Sequence, residues 1–249
     1  MAVIKEITSL DEYLNNSKFI GIGTTAICYL MQDGNVIKVF RDTFNTRLLF
    51  ERKDIFDHFV KLCDLGNESY IAPRELLVKD RKVIAYTYPY VKAKTLLFLS
   101  KKTKVRDTLR NYNRLINDTK EISNMNYKLY DTTNRNILFN DRFNIIDIDR
   151  GKFLNNNESK CYDLKKYNIR QIVDTYMRKL FGINNIDFYN FYNYYLDEQF
   201  RNVDWLDEKS VYDFFEELFS YINNPNPTIK EVRKHMLIRK EFNIYYKPF

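Results

Sequence analysis

The sequence predicts an α+β fold in two parts, a sheet first and helices after it. Two observations lead there. Up to about Tyr90 the apolar residues come in short runs separated by polar turns, and beyond Thr95 they recur at helical spacing over long stretches. Size is the third: 249 residues, 45% of them hydrophobic, are enough to give each part a core. The division falls at residues 1–90 and 91–249. Gly and Pro number only 6 and 5, so no flexible linker is written between them.

In chain order, Ser9-Leu10-Asp11-Glu12 fits a capping box and predicts a short helix to about Asn15. Three strands follow: Lys18 to Ile22, Ala26 to Met31, and Val36 to Phe40. Asp33-Gly34 is the hairpin signal between the last two. The first turn, Gly21-Ile22-Gly23-Thr24-Thr25-Ala26, is a G-x-G-x-x-G pattern with Ala in the last place. Glycines there let backbone N–H groups approach phosphate oxygens. The turn joins two strands, which argues against a dinucleotide fold or a Walker loop.

Lys38 interrupts an apolar strand, V-I-K-V-F. A helix is expected from Thr46 to about Cys63, with Leu48, Ile55 and Phe59 in one stripe. Glu51 falls within that stripe. A buried Glu needs a cation, and Lys38 is the candidate. Tyr70 to Val78 and Lys82 to Tyr88 complete a five-stranded antiparallel set. Pro89 then stiffens the exit.

Helices are expected at Val105 to Ser123, Asp163 to Leu180, Asp187 to Phe200 and Ser210 to Asn223. A last one follows the capping box Thr228-Ile229-Lys230-Glu231. The abundant Tyr and Phe read as packing residues. Between the first two of these helices lies Asp131-Thr132-Thr133-Asn134-Arg135-Asn136-Ile137-Leu138-Phe139. A polar turn and Ile145-Ile146-Asp147-Ile148-Asp149 come next. Carboxylates and amides so placed beside strands are costly unless they bind something. Alternation along a strand puts Asp147 and Asp149 on one face.

Composition excludes several classes. With only His58 and His235, a His-based triad or His-rich metal site is not expected. Cys28, Cys63 and Cys161 are odd in number and form no C-x-x-C, so neither a disulfide framework nor a zinc site is suggested. No apolar run is long enough to span a bilayer, and a cytoplasmic protein is expected. The net charge of +7 favours anionic partners without choosing among them. Its densest run ends in Arg106, Arg110 and Arg114, spaced to share a solvated helix face. Nucleic acid, resting on that charge alone, is not the expected partner.

The order G-x-G, V-I-K, helix Glu, D-x-x-x-x-N-I-L, I-D-I-D resembles the protein-kinase-like superfamily, from about Phe19 to about Gly151. The resemblance implies a bilobal kinase-like fold: an N-lobe of five antiparallel strands plus one helix, and a mainly helical C-lobe. It implies ATP and Mg²⁺ as cofactors. Gly21, Gly23 and Thr24 would cover the phosphates. Lys38, held by Glu51, would neutralise them. Tyr88 would stand at the gatekeeper position, and the chain from Pro89 through Tyr90 to Val91 would contact adenine. Asp131 would orient the attacking hydroxyl with Arg135 as charge clamp. Asn136, Asp147 and Asp149 would serve the metal.

The pattern also departs from the family. Leu129 stands where the family has His, no Lys follows Asp131 at the second position, and no A-P-E element follows Asp147. The activity expected is transfer of the γ-phosphate of Mg·ATP to a hydroxyl, first of all a protein Ser or Thr. The alternatives are a small-molecule phosphotransferase of the aminoglycoside or choline kinase kind and a nucleotide-binding pseudokinase scaffold.

Overall fold

The computed structural model describes residues 3–42, 55–155, 158, 163–182 and 203–242, with side chains to 235. Glu51, the N-terminal part of its predicted helix and the predicted helix at 187–200 lie outside the described residues.

The first part is a six-stranded mixed sheet, one strand more than the sequence predicts. The strands are β1 (Val3–Glu6), β2 (Lys18–Ile22), β3 (Ala26–Leu30), β4 (Asn35–Phe40), β5 (Glu75–Lys79) and β6 (Lys82–Pro89). Their order across the sheet is β1-β5-β6-β4-β3-β2. The added strand, β1, runs parallel to β5 with Val3 opposite Glu75, and Lys5 pairs with Glu75 at 2.6 Å. Its side chains are all exposed, so no buried face announces it in the sequence.

The strand expected from Tyr70 begins only at Glu75. Pro73 has no N–H for a ladder, and Tyr70 instead bridges to Ile145 in a different sheet. Helix α1 (Asp11–Leu14) starts where Ser9 Oγ accepts the Asp11 N–H at 3.1 Å. It packs Leu10, Tyr13 and Leu14 onto Ile37, Leu77 and Ala85 on one sheet face.

The other sheet face meets the helices. Helix α2 (Ile55–Leu62) buries His58, Phe59 and Leu62. Strand β7 (Lys94–Thr95) and a short turn Leu96–Phe98 lead to α3 (Val105–Leu109) and α4 (Tyr112–Asn124). The sequence predicts one helix over this span. The break falls at Asn111, whose backbone leaves the helical region and whose side-chain amide donates to the Asp141 carbonyl at 3.0 Å. Arg106, Arg110 and Arg114 therefore do not share a helix face. Arg106 pairs with Glu216 at 2.6 Å, Arg110 with Asp107 at 2.9 Å, and Arg114 with Glu68.

Strand β8 (Tyr127–Lys128) pairs with β11 (Lys152–Phe153), and β9 (Ile137–Phe139) with β10 (Phe143–Ile145). Helices α5 (Leu164–Phe181), α6 (Glu208–Ile222) and α7 (Ile229–Phe242) complete the described chain. Asp163 and Asp207 cap α5 and α6 through their carboxylates. Thr228 and Glu231 form the predicted reciprocal box before α7: Thr228 N–H donates to Glu231 Oε2 at 2.6 Å, and Glu231 N–H to Thr228 Oγ1 at 3.3 Å. The main apolar cluster is continuous from Leu76, Val83 and Tyr86 of the sheet to Leu115, Ile172 and Phe215 of the helices. Among the described residues no helix is long and apolar enough to cross a membrane.

Candidate active site

Sheet and helices leave between them a cleft of about 1410 Å³. The β2–β3 turn, Lys38 of β4, Tyr88 of β6, the 131–136 loop and Asp147 line it. Elements far apart in sequence thus meet on one surface, and each has a local cause.

The β2–β3 turn is closed by Gly23 N–H donating to the Ala26 carbonyl at 2.8 Å. A Cβ at Gly21 would touch nothing, and one at Gly23 only the Ala26 carbonyl at an ordinary 3.8 Å. Internal packing therefore does not require these glycines. What the missing side chains leave is open backbone facing the cleft.

The 131–136 loop is bent by Asp131, whose backbone is left-handed at φ 58. Asp accepts that conformation more readily than most residues. Thr133 N–H then donates to the Asp131 carbonyl at 2.8 Å, and Asn136 Nδ2 donates to the same carbonyl at 2.8 Å. With its amide nitrogen so used, Asn136 keeps Oδ1 as its acceptor. Leu129 is fully buried beneath, its N–H donating to Asn168 Oδ1 at 2.9 Å. Asn168 also donates to the Tyr127 carbonyl at 2.7 Å, and so ties α5 to the chain entering the loop.

Asp147 and Asp149 are not two residues of one strand, as the alternation predicts. Strand β10 ends at Ile145. Asp147 is left-handed at φ 60, and Ile148–Arg150 form a 3-10 turn. The Tyr127 hydroxyl donates to the Ile148 carbonyl and pins that turn. The turn, not alternation, delivers both carboxylates to Lys38. Lys38 Nζ contacts Asp147 Oδ1 directly and donates to Asp149 Oδ2 at 2.8 Å.

The two carboxylates differ in surroundings. The Asp147 side chain is 30% exposed and lines the cleft; that of Asp149 is 3% exposed and lies behind it. Tyr86 donates its hydroxyl to Asp149 Oδ2 at 3.1 Å. His58 Nε2 lies 3.0 Å from the Asp149 carbonyl, which only accepts, so that nitrogen carries the proton. Asp149 Oδ1 is buried and, among the described residues, has no hydrogen-bond partner. Burial disfavours the charged Lys38, but Asp149 and Asp147 outweigh it and hold its pKa above the ordinary range. Burial would also raise Asp147, yet Lys38 keeps it below the usual carboxylate range, whereas burial with Asp147 close by leaves Asp149 raised.

Arg150, which the sequence reading did not select, spans the cleft. Its Nη1 donates to Asp131 Oδ2 at 3.0 Å and its Nη2 to Thr24 Oγ1 at 3.1 Å. The guanidinium thus joins the glycine turn to the 131–136 loop. Arg135, predicted as the clamp, is exposed and lines the same cleft, but Arg150 makes the contact with Asp131. The only available signal for Arg150 was its place directly after the Asp pair.

Of the other predicted residues, Gly21, Gly23, Thr24 and Tyr88 line the cleft. Tyr88 packs on Tyr86 with ring centroids 5.8 Å apart and directs its hydroxyl to Cys28 Sγ at 3.8 Å. Tyr90 and Val91 are not brought to the cleft. Strand β6 continues to Pro89, which pairs with Asn35, and the Tyr90 N–H is used by the Gly34 carbonyl at 3.2 Å.

Compared with models of known protein families the chain matches none, and no curated protein gives a significant match.

Proposed function

We propose that this protein is a cytoplasmic phosphotransferase that moves the γ-phosphate of Mg·ATP to a hydroxyl, in the first place a protein Ser or Thr. One observation carries the reading. A buried lysine held by Asp147 and Asp149 stands on one wall of a cleft that also presents Asp131, Asn136 and an unobstructed glycine turn. Phosphoryl transfer asks for that set: charge stabilisation, positioning and a proton acceptor.

The donors fit the ion. Asp147 and the Asn136 amide oxygen are hard oxygen ligands on the cleft side, and Mg²⁺ uses one or two such groups together with substrate phosphates. Bound there, Mg²⁺ would offset phosphate charge. Lys38 would neutralise further phosphate oxygens, and Asp149, turned away from the cleft, would position Lys38. That is the role the sequence reading gives Glu51, which lies outside the described residues. Asp131 would take the proton of the acceptor hydroxyl. The open backbone at Gly21 and Gly23 would approach the phosphates without a Cβ in the way.

Thermal unfolding with and without Mg·ATP tests the reading. Ligand at a hundred times its Kd stabilises by about 2.7 kcal/mol. No shift at millimolar nucleotide would sink the proposal. Asp131→Asn should keep that shift and lose transfer.

A further inference from the structure

Beyond Asp131 the cleft runs along a wall that carries positive charge. Arg135 stands on the 131–136 loop, Arg178 and Lys179 on the last turn of α5, and Arg233 on α7; all four line the cleft. Among the described residues the carboxylates of the lining are Asp131 and Asp147, already engaged with Arg150 and Lys38. Lys179 Nζ donates to the Leu97 carbonyl at 2.6 Å, and Arg233 donates to the Leu180 and Lys179 carbonyls. A carbonyl orients a cation without cancelling its charge. Asp174, which pairs with Arg170 at 3.7 Å and also attracts Arg178, lies outside the lining. Burial, with Arg233 and Lys101 nearby, lowers the Lys179 pKa, as expected where like charges crowd.

Two further observations bear on what lies against this wall. Phe98, 72% exposed, borders the same stretch, and the exposed Leu97 adjoins it. The cleft of about 1410 Å³ also exceeds the range of about 300–1,000 Å³ typical of a site for one small ligand. There is room for a second reactant beside a nucleotide. A free phosphorylated metabolite would use the cations and leave the Phe98 ring bare. A peptide uses both.

We propose that the acceptor is an acidic peptide segment: a Ser or Thr flanked by Asp, Glu or phosphorylated side chains. Its anionic groups lie along Arg135, Arg178, Lys179 and Arg233, and an apolar side chain covers Phe98. This assignment rests on the phosphotransferase reading. In the step it implies, the acceptor Oγ–H gives its proton to Asp131 while the Oγ–phosphorus bond forms. The bond from the γ-phosphorus to its bridging oxygen breaks, ADP leaves, and the proton passes on to solvent. A basic segment is repelled from the same wall.

The test measures binding apart from transfer. A fluorescein-labelled Ser peptide with flanking Asp and Glu is titrated with the full-length protein by anisotropy. It is compared with its Lys/Arg-flanked counterpart and with a labelled single-stranded oligonucleotide. The acidic peptide should bind at least about tenfold more tightly than the basic one, and it alone should be phosphorylated when Mg·ATP is added. Arg135→Glu, at an exposed position where folding is not at stake, and Arg178→Gln should each weaken acidic-peptide binding several-fold and leave the Mg·ATP thermal shift in place. Equal or reversed peptide preference, or tighter binding of the oligonucleotide, overturns the assignment. Acidic-peptide binding without any Mg·ATP shift overturns the phosphotransferase reading instead and leaves a peptide-binding wall.

Discussion

Lys38 Nζ donates to Asp149 Oδ2 at 2.8 Å across 111 residues of sequence, in surroundings where both side chains are almost wholly buried. A buried charge that loses its partner is left uncompensated. Lys38→Met should therefore cost about 3–5 kcal/mol, whereas Lys38→Met with Asp149→Leu should recover much of that loss. Urea unfolding of the two variants is the measurement. A single variant as stable as the parent would show that the pair does not hold this turn.

Asp147 and Asp149 should separate under substitution. Asp147→Asn changes the cleft-facing carboxylate and should abolish the Mg²⁺-dependent part of the nucleotide thermal shift. Asp149→Asn changes the hidden one and should lower stability by about 1–3 kcal/mol while keeping a Mg²⁺ response. A Mg²⁺ titration at fixed nucleotide reads both. Loss of the Mg²⁺ response in Asp149→Asn alone would reverse the assignment.

Arg150 joins Asp131 to Thr24 through contacts that are partly exposed. Arg150→Ala should change stability by no more than about 1 kcal/mol. Its effect should be local: the amides of residues 21–25 should exchange hydrogen faster once the tie is gone. Unchanged exchange there would mean that the guanidinium does not restrain the turn.

Gly151 has ordinary extended dihedrals, φ −66 and ψ 179, so replacement by Ala would normally be neutral or stabilising. Here an added Cβ would run into the ring and hydroxyl of Tyr127, which pins the Ile148 carbonyl. Gly151→Ala should accordingly destabilise by about 1–3 kcal/mol. A gain in unfolding midpoint would contradict the close approach of β8 to the turn.

Asp174 has its pKa pushed up to about 6 by burial, against the pull of Arg170 and Arg178. Its folded pKa lies above the ordinary aspartate value of 3.8, so between these values the native state binds more protons than the unfolded state. Stability therefore falls as pH rises through that window and stays lower above it. Asp174→Asn should remove this slope, and the variant should gain on the parent near pH 7 relative to pH 4. Parallel pH–stability curves for the two proteins would refute the raised pKa.

Much of the frame is legible in short segments. The strand at Lys18–Ile22, the one read from Lys82 to Tyr88 and the Asp33-Gly34 hairpin follow from local alternation and turn chemistry. So does the Thr228–Glu231 cap. Asp131, Asn136, Asp147 and Lys38 could be singled out because polar groups in apolar strands and their connecting loops are costly without a use. Tyr90 and Val91 lie outside the cleft lining, and nothing in Tyr-Pro-Tyr-Val marks how far β6 continues. Pro89 still pairs with Asn35, and that is a property of the neighbouring strand.

The sequence by itself determined most of the strands and helices and several of the side chains that had to find partners, because propensity, capping and burial cost act over a few residues. Only the tertiary structure decided who those partners are. Lys38 meets Asp147 and Asp149 because a left-handed residue and a 3-10 turn replace the expected strand. Arg150 reaches Asp131, and four cations from three elements gather on one wall, because packing brings their backbones together. Contacts between charges far apart in sequence depend on distances through space, and no local pattern encodes them.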